Sequence, residues 1–216
     1  MRLRLLGGIA LAAALLAAAA WYFSQQTRET PVAPVVQEDR RTDAARLMND
    51  LMTGKTPVGG PFTLTDGSGT PRSLADYRGK VVLLYFGYLF CPDVCPTDLA
   101  RISAMMNSLG AEADAVQPLF ITLDPLRDTP ALIKEYAAAF HPRFVALYGS
   151  ETETRKIATS YKVFYEKVPQ GKTYFIEHTA ITFLIDRNGK YVAFFPPGTH
   201  ADRMAVMVRE ALEQRR

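Results

Sequence analysis

The hydrophobic positions of this chain change rhythm several times, and each change marks an element. From Leu5 to Phe23 the run is continuous and uncharged, nineteen residues rich in Ala and Leu. A helix of that length spans a hydrocarbon core of about 30 Å. Ser24 to Gly54 is polar, mixed in charge, and contains Pro31 and Pro34. It reads as a tether with room for a short amphipathic helix near Ala44 to Met52. Beyond it, Phe62 to Asp66 alternates apolar and polar before Gly67 to Gly69 turns the chain, the pattern of a short hairpin. Val81 to Phe86 is apolar at every position, which predicts a central strand buried on both faces. Gly87 to Phe90 leave that strand. Leu99, Ile102, Met106 and Leu109 then recur at helical spacing, so a helix runs to about Gly110, with Pro96 in its first turn.

The alternation of strand and helix continues. Leu119 to Leu123 is a second buried strand, ending at Asp124-Pro125. Thr129-Pro130 is an N-cap followed by proline at the first helical position, and this helix reaches Phe140. Val145 to Leu147 is a short strand, and Glu151 to Tyr161 a helix. Tyr174 to Glu177 and Ala180 to Ile185 flank His178, Asp186 to Gly189 turns, and Tyr191 to Phe195 returns. Thr199 with Asp202 resembles a capping box for a last helix, whose Met204, Met207, Val208, Ala211 and Leu212 form an apolar stripe. Those methionines read as core, not as metal ligands. The order predicts an α/β domain with a mixed central sheet flanked by helices, over residues 55–216, about 160 residues and enough for one core.

Charge adds the compartment. Arg2 and Arg4 precede the apolar run, which places the N-terminus in the cytoplasm and the remainder outside. Trp21 and Tyr22 stand at the far end, where interfacial aromatics anchor a spanning helix. Residues 1–23 thus form a membrane anchor and 24–54 a tether. A cleaved signal peptide is the competing reading, since small alanines precede Trp21; the length of the run favours an uncleaved anchor. No cysteine lies near the segment for lipid attachment. With 25 basic and 22 acidic residues interspersed, and no basic block, nucleic-acid binding is set aside.

Both cysteines of the chain lie in one motif, Cys91-Pro92-Asp93-Val94-Cys95-Pro96. On a helical turn such a pair faces one way, with Cα atoms roughly 6 Å apart, a spacing that a disulfide tolerates. The same spacing lets two thiolates grip one soft ion such as Cu(I) or Zn(II). The site is a redox dithiol, a metal clamp, or both. A merely structural staple there would close a loop of three intervening residues and constrain little unfolded-chain entropy. A thiol at a helix N-terminus is acidified, and thiolate is both the nucleophile and the soft ligand. Cu(II) would want a nitrogen donor as well. His141 and His200 read as surface or capping residues. His178, just before a hydrophobic strand, is either that donor or a histidine hydrogen-bonded beside Thr179.

Gly87-Tyr88 leading into the cysteine motif resembles the signature of the Sco/SenC family of copper-binding thioredoxin-like proteins. Asp124-Pro125-Leu126-Arg127-Asp128-Thr129-Pro130 resembles its second motif, and Glu177-His178-Thr179-Ala180 before Phe183-Leu184-Ile185-Asp186 its third. Three motifs in order, from about Pro61 to Leu212, make the likeness specific, and the anchor agrees with it. The resemblance implies a thioredoxin-like fold preceded by a single N-terminal transmembrane helix. It also implies copper ligation by Cys91, Cys95 and His178, as Cu(I) or Cu(II). Asp124 matches a family carboxylate near the site. Leu89 departs from a common threonine, and Thr179-Ala180-Ile181 lacks the proline that thioredoxins pack against their dithiol.

The function so implied is that of a copper metallochaperone in the bacterial inner membrane, single-pass, with its domain on the periplasmic side. It would assist assembly of the dinuclear copper site of cytochrome c oxidase. Its partners would be the copper-site subunit of the oxidase and an upstream copper donor or reductant. The alternative is a thiol–disulfide oxidoreductase that reduces partner cysteines before metallation. There Cys91 and Cys95 would be catalytic, Cys91 attacking and Cys95 resolving. An oxidising compartment closes such a dithiol unless it is reduced or metallated.

Overall fold

The computed structural model describes residues 17–22, 49–50 and 57–214. Most of the expected anchor and tether lies outside the described residues; 17–22 and 49–50 are helical. Among the described residues no helix is long and apolar enough to cross a membrane.

The α/β unit contains nine strands and four α-helices among its described residues. In chain order they are β1 Thr63–Asp66, β2 Pro71–Ser73, β3 Val81–Gly87, α1 Val94–Ser108, β4 Val116–Thr122, α2 Pro130–Phe140 and β5 Val145–Tyr148. Then follow α3 Glu151–Ser160, β6 Tyr165–Gln170, β7 Thr173–His178, β8 Thr182–Ile185, β9 Tyr191–Phe195 and α4 Ala201–Glu213. Seven strands form one mixed sheet in the order β2-β1-β5-β4-β3-β8-β9, and β6 and β7 form a separate ribbon.

The absence of alternation in Val81 to Gly87 has a clear cause. β3 is parallel to β4 on one side and antiparallel to β8 on the other, and helices and loops cover both faces, so all seven residues are buried. Adjacent residues of a strand point to opposite faces. Phe86 meets Tyr161, at the end of α3, with ring centroids 5.6 Å apart, and Phe183 of β8 at 6.0 Å. On the opposite face Phe120 of β4 meets Tyr136 of α2 at 5.8 Å. The parallel β3–β4 and β4–β5 pairs need crossover connections, which α1 and α2 supply.

Local signals placed most elements correctly. Thr129 accepts the Leu132 N–H, with Pro130 at the first helical position. Met204, Val208 and Ala211 of α4 are buried, and Met207 and Leu212 pack against the core. Three readings change. The second buried strand begins at Val116, through Gln117 and Pro118, instead of Leu119. Pro118 hid this start, but it precedes the first residue paired with β5, Leu119. The last helix is capped at His200, not Thr199, whose hydroxyl instead donates to the Pro196 carbonyl at 2.7 Å. Strand β6 was not foreseen, because Glu166, Lys167 and Gln170 are polar and Pro169 argues against a strand. A ribbon outside the main sheet tolerates both.

Met204 is only 2% exposed, so Met204→Ala should lower stability by about 2–5 kcal/mol. Urea unfolding checks this, and any copper stoichiometry of the folded protein should be unchanged.

Candidate metal centre

The site lies where β3 ends. Its last residue, Gly87, passes into Tyr88-Leu89-Phe90, and Cys91 donates its N–H to the Tyr88 carbonyl at 3.3 Å. α1 begins only at Val94, so Cys91 precedes the helix and Cys95 lies in its first turn. The expectation that both thiols share one helical turn is thereby refined. Asp93, at the capping position, provides no side-chain cap. The Cys91 sulfur takes over part of that role by accepting the Cys95 N–H at 3.4 Å. A sulfur facing the open N–H groups of a helix start is stabilised as thiolate.

Cys95 is fully buried and Cys91 half-buried, and both thiols are free. His178 closes β7 and comes in from the ribbon, its Nε2 3.3 Å from the Cys95 sulfur. Its ring stands edge-on to Tyr85 and Tyr88, with centroids 6.4 and 6.1 Å away, and its Nδ1 is buried without a hydrogen-bond partner. Ligand atoms of Cys91, Cys95 and His178 all lie within 4.8 Å of one another, the only such grouping of His, Cys, Asp and Glu among the described residues. His141 instead caps α2 and accepts the Arg143 N–H at 3.2 Å, while His200 caps α4.

The two thiols have opposite tendencies. Hydrogen bonds from Cys95, His178 and the backbone N–H groups of Asp93 and Cys95 hold Cys91 far below its ordinary value, at about 4, against burial. The Cys91 thiolate beside it, together with burial, pushes Cys95 strongly upward. The pair therefore carries one proton at neutral pH, on the buried sulfur. One sulfur is ready to attack or to coordinate, and the second follows once its proton leaves.

Asp124 lies outside this cluster. It is fully buried, paired with Arg127, and accepts the Tyr174 hydroxyl at 2.8 Å. Asp128 is a site residue that reading the sequence quoted only as part of a motif. Its carboxylate accepts the Leu89 N–H at 3.1 Å and the Thr122 hydroxyl at 2.5 Å, steadying the loop before Cys91. Burial raises its pKa to about 6, above the ordinary carboxylate range. Leu89, half-buried against the core, satisfies the loop by its backbone and needs no hydroxyl. Phe90, Leu126 and Phe164 are exposed, and Phe90 directly precedes Cys91.

A partly buried dithiol–imidazole set at the end of a thioredoxin-like sheet defines a class of soft-metal and thiol-exchange proteins. The chain belongs to the SCO1/SenC family, whose profile matches residues 51–213. It is 41% identical over 149 residues to the SCO2-like protein RP587 of Rickettsia prowazekii, covering 68% of this chain and 73% of that protein. The structure of Bradyrhizobium japonicum ScoI with copper bound is 41% identical and superimposes with a TM-score of 0.67, covering 72% of this chain and 99% of that one. BsSco is a member of the Sco family of cytochrome c oxidase assembly proteins in which a disulfide switch was identified. It is 25% identical, with a TM-score of 0.61 over 74% of this chain and 97% of its own. The thioredoxin-like architecture expected from the sequence is thus shown for the α/β unit.

Two outcomes follow from the charges. Alkylation of the reduced protein by iodoacetamide should occur at Cys91, persist from neutral pH downward, and fall only as pH approaches about 4. Cys95 should react only after unfolding; equal labelling of both, followed by mass spectrometry, would contradict the asymmetry. For Asp128 the folded protein holds its proton more tightly than the unfolded chain, so its contribution to stability is present in acid. That contribution is lost as pH rises through about 6. The difference in urea midpoint between wild type and Asp128→Asn should change between the ordinary carboxylate value of 3.8 and about pH 6, and be flat above it.

Proposed function

We infer that the chain is a membrane-anchored copper metallochaperone that holds copper through Cys91, Cys95 and His178. In this reading it passes the metal to the dinuclear copper site of cytochrome c oxidase. The observation that carries this is the convergence of two sulfurs and one imidazole nitrogen within 4.8 Å, with Cys95 buried and Cys91 and His178 half-buried. The donor set suits the cargo. Cu(I) is satisfied by soft thiolates, and Cu(II) gains from an added imidazole. The His178 Nε2 facing the Cys95 sulfur places the nitrogen on the sulfurs' side of the ring. ScoI with copper bound and BsSco among oxidase assembly proteins support the metal and the destination. The partners are the copper-site subunit of the oxidase and an upstream copper donor.

The anchor is residues 1–23 and the tether 24–54, with residues 55–216 outside the bacterial inner membrane, on the periplasmic side. Arg2 and Arg4 before an apolar run of spanning length support this orientation.

The thiol asymmetry favours a second reading as well, reduction of partner cysteines. The Cys91 thiolate would attack a partner disulfide and release one partner thiolate. Cys95 would then give up its proton and attack the Cys91 sulfur, releasing the second partner thiol. The product is a Cys91–Cys95 disulfide, and two electrons from an upstream reductant reopen it.

Anaerobic copper titration with absorption and electron paramagnetic resonance separates the readings. The reduced protein should bind one Cu(I), and Cys91→Ala or Cys95→Ala should abolish tight binding. His178→Ala should weaken Cu(II) binding far more than Cu(I) and alter the sulfur-to-copper charge-transfer band, with disulfide exchange retained. Unchanged Cu(II) spectra in that variant would remove His178 from the ligand set. Loss of oxidase assembly with intact exchange would select delivery over reduction.

A further inference from the structure

The ribbon that carries His178 shares no strand pairing with the main sheet. A two-stranded hairpin alone is marginally stable, so the position of the imidazole depends on side chains that hold β7 down. Beyond the apolar contacts of Tyr165 and Ile176, α3 reaches β6: Arg155 lies 4.1 Å over the Tyr165 ring, and Lys167 pairs with Glu151 at 2.6 Å. β7 is held from elsewhere, by the turn after β4. Arg127 stacks 3.7 Å over the Tyr174 ring and donates to the Tyr174 carbonyl at 2.9 Å and the Thr173 hydroxyl at 3.3 Å. The Tyr174 hydroxyl donates to buried Asp124, which also pairs with Arg127. Tyr174 and His178 are four residues apart in one strand and so lie on the same face.

The same turn grips the other half of the site. Asp128 accepts the Leu89 N–H at 3.1 Å, and the Arg127 guanidinium lies 5.0 Å from the Phe90 ring centroid. Leu89 and Phe90 lead directly into Cys91. The turn is closed by its own backbone: the Asp124 carbonyl accepts the N–H groups of Arg127 and Asp128 at 3.1 and 2.9 Å. The Thr122 hydroxyl joins the Asp124 N–H to the Asp128 carboxylate.

We propose that residues 124–128 form a two-armed brace that sets the spacing between the dithiol loop and His178, with Arg127 and Tyr174 as positioning residues for the imidazole. This rests on copper ligation by His178. Because the Tyr174 arm of the brace acts on the strand that carries the nitrogen ligand, it governs the Cu(II) state and leaves two-sulfur Cu(I) binding alone.

The test uses the full-length protein with Tyr174→Phe, which keeps the ring and removes the hydroxyl. Arg127→Lys, which keeps the charge and removes the planar fork, is its companion. Each should weaken Cu(II) binding about tenfold or more and leave Cu(I) binding within about twofold, the scale of lost support behind a metal ligand. In the copper-free protein, amide hydrogen exchange over residues 174–178 should accelerate. In a His178→Ala background the same substitutions should cost no further Cu(II) affinity. Unchanged Cu(II) affinity and exchange would overturn the brace, and so would an equal added loss in the His178→Ala background, which marks a general structural effect. If His178→Ala alone leaves Cu(II) binding unchanged, the ligand assignment fails first and the brace with it.

Discussion

The site depends on how closely the Cys95 sulfur packs against the end of the central strand. Gly87 closes β3, and a Cβ there would lie 3.1 Å from that sulfur and 3.0 and 3.1 Å from the Tyr85 and Phe120 rings. Any side chain there would press on that sulfur and on both rings, so the glycine favours this close approach of the helix start to the sheet. The sulfur is consequently out of water, and the charge of the pair collects on the outer thiol. Interiors are packed densely enough that such a position cannot drift without moving the aromatic layer beneath it.

From that placement the chemistry of the pair follows. Two thiols of the same kind become unlike because one is sealed by the core and the other faces the N–H groups that open α1. The outer one is a thiolate at neutral pH, and the inner one keeps its proton until an ion or a partner sulfur draws it away. This asymmetry serves exchange and metal capture equally. What tilts the balance toward metal is the imidazole, which exchange does not require and which arrives from a different part of the fold.

That arrival is secured by side chains and not by pairing with the main sheet. Cys91 and Cys95 sit on the segment joining the best-buried strand to its crossover helix. His178 ends a ribbon outside the sheet, held by stacking, hydrogen bonds and the buried Asp124. Arg127 is central here because a planar guanidinium can pair with a carboxylate at its edge while stacking on an aromatic face. Asp128, tied to the dithiol loop, makes the same turn a partner of both halves.

Much of this was legible in the sequence. Val81 to Phe86, the Thr129-Pro130 cap, the stripe of the last helix and the unique cysteine pair each announce themselves through neighbours a few residues away. Periodicity, capping and turn chemistry are local, so they survive in one dimension. Strand β6 was not legible, since its polar residues and Pro169 are acceptable only in a ribbon beside the domain. The cap at His200 and the early start of β4 likewise depended on what packs there. The roles of Asp124 and Asp128 were hidden for the same reason. Tyr174 lies 50 residues from Asp124, and Leu89 lies 39 from Asp128. The sequence by itself determined most of the elements, the family likeness and the candidate reactive groups. The tertiary structure alone decided which thiol is buried, which nitrogen faces it and what holds the two together, because hydrogen bonds and desolvation act on neighbours in space.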